Sequence, residues 1–247
     1  MENIHIDHYD ITSYHADFMQ HLSPVSLFCF LQESAWLHAN SKDFGWTQLI
    51  ERQEFWVLAK MHVYIHRMPG WTEKIRLETW GKEPELLTAF RDFEFFDANN
   101  QAIIRATSSW HILSKQTHRP VALTNFANDF PFVNRQAIAE KPQKIKLPGS
   151  NSVRSVVNTI LPSDIDLNLH VNNTKYVQWA MDCIPMEFQQ QHFLYEIKAN
   201  FLSESRIGEN YFVETFRDDL TFTHFIISEK DNRKLAAVET RFNPLRG

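Results

Sequence analysis

Glycine and cysteine are scarce in this chain. Six glycines are scattered over 247 residues, and none builds Gly-x-Ser-x-Gly, Gly-x-Gly-x-x-Gly or a phosphate-cradling loop. That argues against an α/β-hydrolase, a dinucleotide enzyme and a P-loop nucleotide hydrolase. The two cysteines, Cys29 and Cys183, lie far apart and form neither a disulfide framework nor a zinc pattern. No apolar run approaches membrane-spanning length. There is no basic excess: 25 Lys and Arg against 30 Asp and Glu leave a formal charge of −5, which gives no reason to expect nucleic acid. The first residues, Met1 to His5, are polar and acidic, unlike a signal or transit peptide. A reducing, cytoplasmic setting is the default expectation. What remains is an ordinary globular composition, 43% apolar and 22% charged, long enough for one large domain or two small ones.

The pattern along the chain favours a repeat. Residues 4–17 alternate loosely as a strand. Ser23-Pro24 then reads as an N-cap with proline at the first helical position, opening a helix from Val25 to about Ala39. Strand-like segments follow at 55–65, 74–80, 87–96 and 102–113, with turns at Met68-Pro69-Gly70 and 97–101. Prolines and the charged run Glu140 to Lys146 mark a connector. The pattern then recurs: a strand at 152–161, a helix beginning near Asn173, strands at 195–202 and 209–216, a turn at Asp231-Asn232-Arg233, and a strand at 235–242. Glu209 to Phe216 answers Glu73 to Trp80 residue for residue in class. The expectation is an α+β fold of two helix-plus-antiparallel-sheet repeats joined into one continuous sheet, with an N-terminal repeat over 1–135, a linker over 136–151 and a C-terminal repeat over 152–247. Edge-to-edge joining would protect the edge strands each repeat leaves open.

Chemistry concentrates in Asp164-Ile165-Asp166-Leu167-Asn168-Leu169-His170-Val171-Asn172-Asn173. Alternation is expected to put Asp166, Asn168 and His170 on one side of an extended segment and Leu167, Leu169 and Val171 on the other. Tyr176, Trp179, Ala180 and Cys183 then follow at helical spacing. An acid, an amide and an imidazole thus arrive at a helix start, where backbone N–H groups near Val171 to Asn173 suit a developing oxyanion. A calcium loop would need Gly at position 169 and Glu at 175, which hold Leu and Lys. In the first half, the corresponding positions read approximately Met19-x-His21-x-Ser23. The acid and amide are missing there, so the second half is expected to carry the chemistry.

Asp-x-Asn-x-His-Val-Asn-Asn before a Tyr/Trp-rich helix resembles the acyl-acyl-carrier-protein thioesterases, fatty-acid-releasing enzymes of double (tandem) hotdog fold. Other segments carry the likeness through the chain: Leu31 to Ala35 with His38, Trp56 to Met61, Arg67 to Trp71, Glu78-Thr79-Trp80, Arg91-Asp92-Phe93, Arg105 to Trp110 and Thr117 to Pro120. The resemblance implies hydrolysis of a fatty acyl thioester on acyl carrier protein, with no cofactor and no metal. It places the active-site residues at Asp166, Asn168, His170 and Glu204, the last on a strand. Next to that glutamate the plant enzymes commonly have Cys; this chain has Ser205.

That departure removes a Cys–His–Asn mechanism from this position. The expected course is attack by water, with Asp166 the favoured base beside Glu204, Asn168 orienting Asp166 or the water, and His170 donating a hydrogen bond to substrate. Direct attack by Asp166 is the runner-up. Ser205 as nucleophile would need a base in contact. The partner implied is an acyl carrier protein, for which Lys141, Lys144 and Lys146 are candidate docking groups, and the chain is expected as a monomer or homodimer. An acyl-CoA thioesterase and a hotdog protein that binds acyl ligands without turnover are the competing readings.

Overall fold

The computed structural model describes residues 3–149 and 151–245. Two compact units divide the chain, Met1–Gln143 and Lys144–Gly247. Ser150, inside the expected linker, lies outside the described residues.

In the first unit the sheet order is β1 (His5–Asp10), β3 (Lys74–Lys82), β4 (Ala89–Phe96), β5 (Ala102–Ser114), β2 (Glu54–Ile65), antiparallel throughout. Helix α1 (Pro24–Asn40) packs against β1 and β3. It begins where the sequence says it should: Ser23 Oγ accepts the Ser26 N–H at 3.1 Å, with Pro24 at the first helical position. The face it buries carries Leu27, Phe28, Leu31 and Ala35. Two short helices, α2 (Trp46–Glu51) and α3 (Thr124–Asp129), were not legible from periodicity. They enclose Phe44, Leu49, Phe126 and Phe130, with Trp56 and Trp110 against them. Gly81 is required by this packing, because a Cβ there would stand 2.6 Å from Phe130 Cε1.

The second unit opens with β6 (Ser152–Arg154), β7 (Asn158–Thr159) and a single 3-10 turn, Pro162–Asp164. The single strand expected over 152–161 is therefore broken. Helix α4 (Asn173–Met181), a short α5 (Met186–Gln191) and strands β8 (His192–Phe201), β9 (Asn210–Asp218), β10 (Thr221–Ser228) and β11 (Lys234–Pro244) complete it. The order is β8-β11-β10-β9-β6, with β7 also on β9. Strand β10 escaped the sequence reading. Its residues from Phe222 to Ser228 are buried, and its His224 sits in the core with the ring Nδ1 2.9 Å from Thr215 Oγ1. Burial holds that imidazole down at about 3. On α4, Tyr176, Val177, Trp179 and Ala180 face inward, and Trp179 stacks on Tyr211 at 3.9 Å.

The stretch expected as a solvated connector is anchored. The Ala137 N–H donates to Asp92 Oδ2 at 2.8 Å in the first unit, and the Ile145 N–H donates to Asn200 Oδ1 at 2.8 Å in the second. Ile138 and Ile145 are buried. Lys141 pairs with Glu85.

The repeat extends to individual backbone hydrogen bonds. Ile11 N–H to Glu73 O is matched by Ile160 N–H to Glu209 O, both 2.9 Å. His66 and Arg67 both donate to Ile103 O, as Leu202 and Ser203 both donate to Leu235 O. Leu22 N–H to Pro69 O answers Val171 N–H to Ser205 O. Thr72 and Gly208 share a positive φ, 72° and 80°.

Candidate active site

The polar stretch is not extended. Asp166 to His170 form a tight turn closed by an Ile165–Val171 bridge. The Asp166 N–H donates to His170 O at 2.8 Å, and the Leu169 N–H to Asp166 O at 3.0 Å. Asp166 Oδ1 accepts the Asn168 N–H at 2.8 Å and the His170 N–H at 3.3 Å. A carboxylate that accepts from its own backbone two residues on competes well with strand geometry. Leu169 takes φ 61° to complete the turn. The expected alternation fails as a result: Leu167 and Leu169 are 91% and 76% exposed.

Helix α4 starts just beyond. Asn172 caps it, its Oδ1 accepting the Thr174 N–H at 3.0 Å and the Thr174 hydroxyl at 2.8 Å. The backbone donors expected for an oxyanion are engaged at two of the three positions. The Val171 N–H donates to Ser205 O at 3.1 Å and the Asn172 N–H to Asp164 O at 2.8 Å. The loop after β8 takes the first and the Ile165–Val171 bridge the second.

Glu204 is not on a strand but in the loop three residues beyond the end of β8. Its carboxylate oxygen Oε2 lies 3.2 Å from His170 Nε2. Asp166, Asn168, His170 and Glu204 thus lie together within the second unit: His170 and Glu204 meet through their side chains, and Asn168 and His170 reach the Asp166 carboxylate through their backbone N–H groups. The Asn168 side chain is exposed, while Asp166, His170 and Glu204 are half-buried.

Ser205 is 1% exposed, and its hydroxyl shares a 2.6 Å hydrogen bond with Tyr176. Burial pushes the Tyr176 phenol up to about 12, against the Ser205 hydrogen bond that pulls it down. A phenol so reluctant to ionise is no base for a serine nucleophile. Cys183 donates to Trp179 O on α4, and burial foremost raises its thiol. The Tyr176–Ser205 contact is not legible from spacing, since the two residues are 29 positions apart.

The first unit contains the same turn. Asp17 Oδ1 accepts the Met19 N–H at 2.8 Å and the His21 N–H at 3.1 Å. The Asp17 N–H donates to His21 O, Gln20 takes φ 62°, and Ala16 bridges Leu22. The register is therefore Asp17-x-Met19-x-His21 against Asp166-x-Asn168-x-His170, and the expected absence of the acid from the first half is wrong. What is missing is the amide, replaced by Met19, and the second acid: matching Leu22–Pro69 to Val171–Ser205 sets Met68 opposite Glu204. The spacing of Asp17 and His21 four apart, before an apolar residue and a capping residue, was the available signal.

Residues 2–127 match the family model of the acyl-ACP thioesterase N-terminal domain, and residues 157–244 that of the C-terminal domain. The chain belongs to the acyl-ACP thioesterase family. Among members, it is 28% identical over 194 residues to oleoyl-acyl carrier protein thioesterase 2, chloroplastic, of Arabidopsis thaliana, covering 70% of this chain and 52% of that one. It is 28% identical over 209 residues to palmitoyl-acyl carrier protein thioesterase, chloroplastic, of Gossypium hirsutum, covering 79% and 51%. The chain spans about half the length of the curated relatives it matches. An acyl-ACP thioesterase from Bacteroides thetaiotaomicron superposes with TM-score 0.89 at 26% identity, over 97% of this chain and 98% of that one. The 12:0-ACP thioesterase from Umbellularia californica gives 0.84 at 21% identity, over 98% and 97%. The fold is the α+β double hotdog of the family. Among the described residues, no helix is long and apolar enough to cross a membrane.

Proposed function

We propose that this family member hydrolyses fatty acyl thioesters of acyl carrier protein, through the group formed by Asp166, Asn168, His170 and Glu204. The observation that carries the reading is the pairing of His170 with Glu204 beside a turn built on Asp166. A thioester carbonyl is a good electrophile, so the site needs an activated water and a donor for the developing oxyanion. Asp166 Oδ1 is committed to the turn, which leaves Oδ2 to hold the water and take its proton. With the Val171 and Asn172 N–H groups engaged, the exposed Asn168 amide, which sits on the turn itself, serves as a donor for the carbonyl oxygen. The products are the free fatty acid and the carrier thiol.

His170 does not have its Nε2 proton to spare for substrate, because that atom faces Glu204. A ring that gives Nε2–H to a carboxylate presents Nδ1 as an acceptor. The 3.2 Å contact therefore favours a second course, in which His170, oriented by Glu204, takes the water's proton.

The test is thiol release from a panel of acyl-carrier-protein and acyl-CoA thioesters of medium to long chain, by the native protein and Asp166→Asn. Release by the native protein that collapses in Asp166→Asn supports Asp166 as base. Release that survives there but is lost in His170→Gln supports the histidine course. No release from any substrate, with tight binding retained, would establish an acyl-binding protein and sink the hydrolase reading. The panel also decides between carriers.

A further inference from the structure

The two units allow a subtraction. Whatever the fold needs from the turn is present twice, and whatever only the second unit adds is available for chemistry. Present twice are the Asp-closed turn, the positive-φ residue, the capped helix and the carbonyl that anchors the residue after the histidine. Added in the second unit, besides Asn168 and Glu204, are three polar groups around the Glu204 loop. Arg233 Nη1 donates to the backbone carbonyl of Glu204 at 2.6 Å. Tyr176 shares its short hydrogen bond with Ser205. The matched residues in the first unit carry no guanidinium, phenol or hydroxyl. Counting from the Ile103–Leu235 match puts Gln101 at the place of Arg233, and Asn100 and Asn232 before them share a positive φ, 61° and 56°. Counting from the two helix caps puts Leu27 opposite Tyr176, and Pro69 stands opposite Ser205.

We propose that Arg233 is a positioning residue for Glu204, acting with the Tyr176–Ser205 pair as the second jaw of a clamp. This rests on the hydrolase reading above. Arg233 reaches back from the β10–β11 turn, where its Nε lies 3.4 Å from Asp231 and its Nη2 3.7 Å from Glu209. These two carboxylates hold the guanidinium so that its remaining nitrogen meets the Glu204 carbonyl. On the other side, the Ser205 carbonyl takes the Val171 N–H, and its hydroxyl is fixed by the buried Tyr176. The Glu204 backbone is thereby pinned on both flanks. Its carboxylate is held at His170 without spending its own oxygens on the loop. The first unit, with Met68 at this place, has no carboxylate to aim and no clamp.

The experiment compares thiol release by the native protein, Arg233→Ala, Arg233→Lys, Tyr176→Phe and Glu204→Gln, and by Arg233→Ala and Tyr176→Phe each combined with Glu204→Gln. The substrate is one medium-chain thioester of acyl carrier protein. Misplacing a catalytic group by about 1 Å costs on the order of a hundredfold. Arg233→Ala is therefore expected to lower kcat about ten- to a hundredfold with KM little changed, and millimolar guanidinium is expected to restore part of the rate. In the Glu204→Gln background the same substitution is expected to cost nothing further, because the group it aims is gone. Tyr176→Phe is expected to behave likewise with a smaller loss. A full rate in Arg233→Ala, or an equal loss with and without the Glu204 carboxylate, would overturn the clamp. If the native protein releases no thiol, the hydrolase reading fails instead.

Discussion

Replacing Asp166 by alanine is expected to do two kinds of damage, and the first unit supplies the control that separates them. Asp166 Oδ1 accepts two backbone N–H groups at 2.8 and 3.3 Å, and Asp17 Oδ1 accepts the matched pair at 2.8 and 3.1 Å. Hydrogen bonds to a charged acceptor contribute about 1.5–3 kcal/mol when buried, and less at half-exposed turns. Taking about 1 kcal/mol for each, Asp17→Ala and Asp166→Ala each lose about 2 kcal/mol. For a chain of this size that lowers Tm by about 4–8 °C. Asp166→Asn keeps an acceptor oxygen at the same place and should lose less than half of that, while losing the carboxylate base, worth about 10²- to 10⁴-fold in rate. Thermal unfolding and thiol release measured on all three variants check the reasoning. Asp17→Ala should be destabilised yet active, Asp166→Asn stable yet slow, and Asp166→Ala both destabilised and slow. An Asp17→Ala protein that melts like the native one would refute the structural half. A fast Asp166→Asn would refute the catalytic half.

Other outcomes follow from single contacts. Ser205→Ala should keep its rate within about tenfold and lose about 1–3 kcal/mol, because it strands the buried Tyr176 hydroxyl; a loss of rate by several powers of ten would revive a serine nucleophile. Gly81→Ala should cost about 1–3 kcal/mol by overpacking against Phe130, read as a shift of the urea midpoint; an unshifted midpoint would show that Phe130 moves freely. His224 is neutral in the fold, with its pKa held at about 3, whereas the unfolded chain protonates it near 6.5. Its contribution is therefore complete above about pH 6.5 and is lost as pH falls toward 3, at roughly 1.4 kcal/mol per pH unit. Melting curves from pH 7 to 5 should fall less steeply in His224→Gln than in the native protein, and equal slopes would contradict the assignment.

Much of this architecture was readable from pattern. The Ser23-Pro24 helix start, strands β2 to β5 and the match of Glu209–Phe216 to Glu73–Trp80 rest on period and capping, which are local, whereas the strand expected over 4–17 stops at Asp10 and gives way to the Asp17 turn. What escaped was decided elsewhere in space. Alternation of Leu167, Leu169 and Val171 read as a strand, but the Asp166 carboxylate folds that segment into a turn and leaves two leucines in water. The first-half motif, expected at Met19-x-His21-x-Ser23, lies two positions earlier, and its register is hard to see because Met19 and Met68 stand where the second unit has the amide and the second acid. The Tyr176–Ser205 and Arg233–Glu204 contacts join residues 29 apart in both cases, and no local spacing encodes them.

The engagement of the Val171 and Asn172 N–H groups has a genetic consequence. An oxyanion site made of peptide N–H groups is nearly immune to point mutation, because every residue but proline supplies the same donor. On the proposed mechanism this site takes its donor from a side chain, so a single codon can abolish turnover while the turn, the cap and the sheet stay intact. The first unit, with methionine in place of asparagine and of glutamate, has the sequence such changes would leave behind. A lineage built this way can silence one copy of its site and keep the scaffold, whereas the reverse route needs Met19→Asn and Met68→Glu and also a clamp in place of Gln101, Leu27 and Pro69.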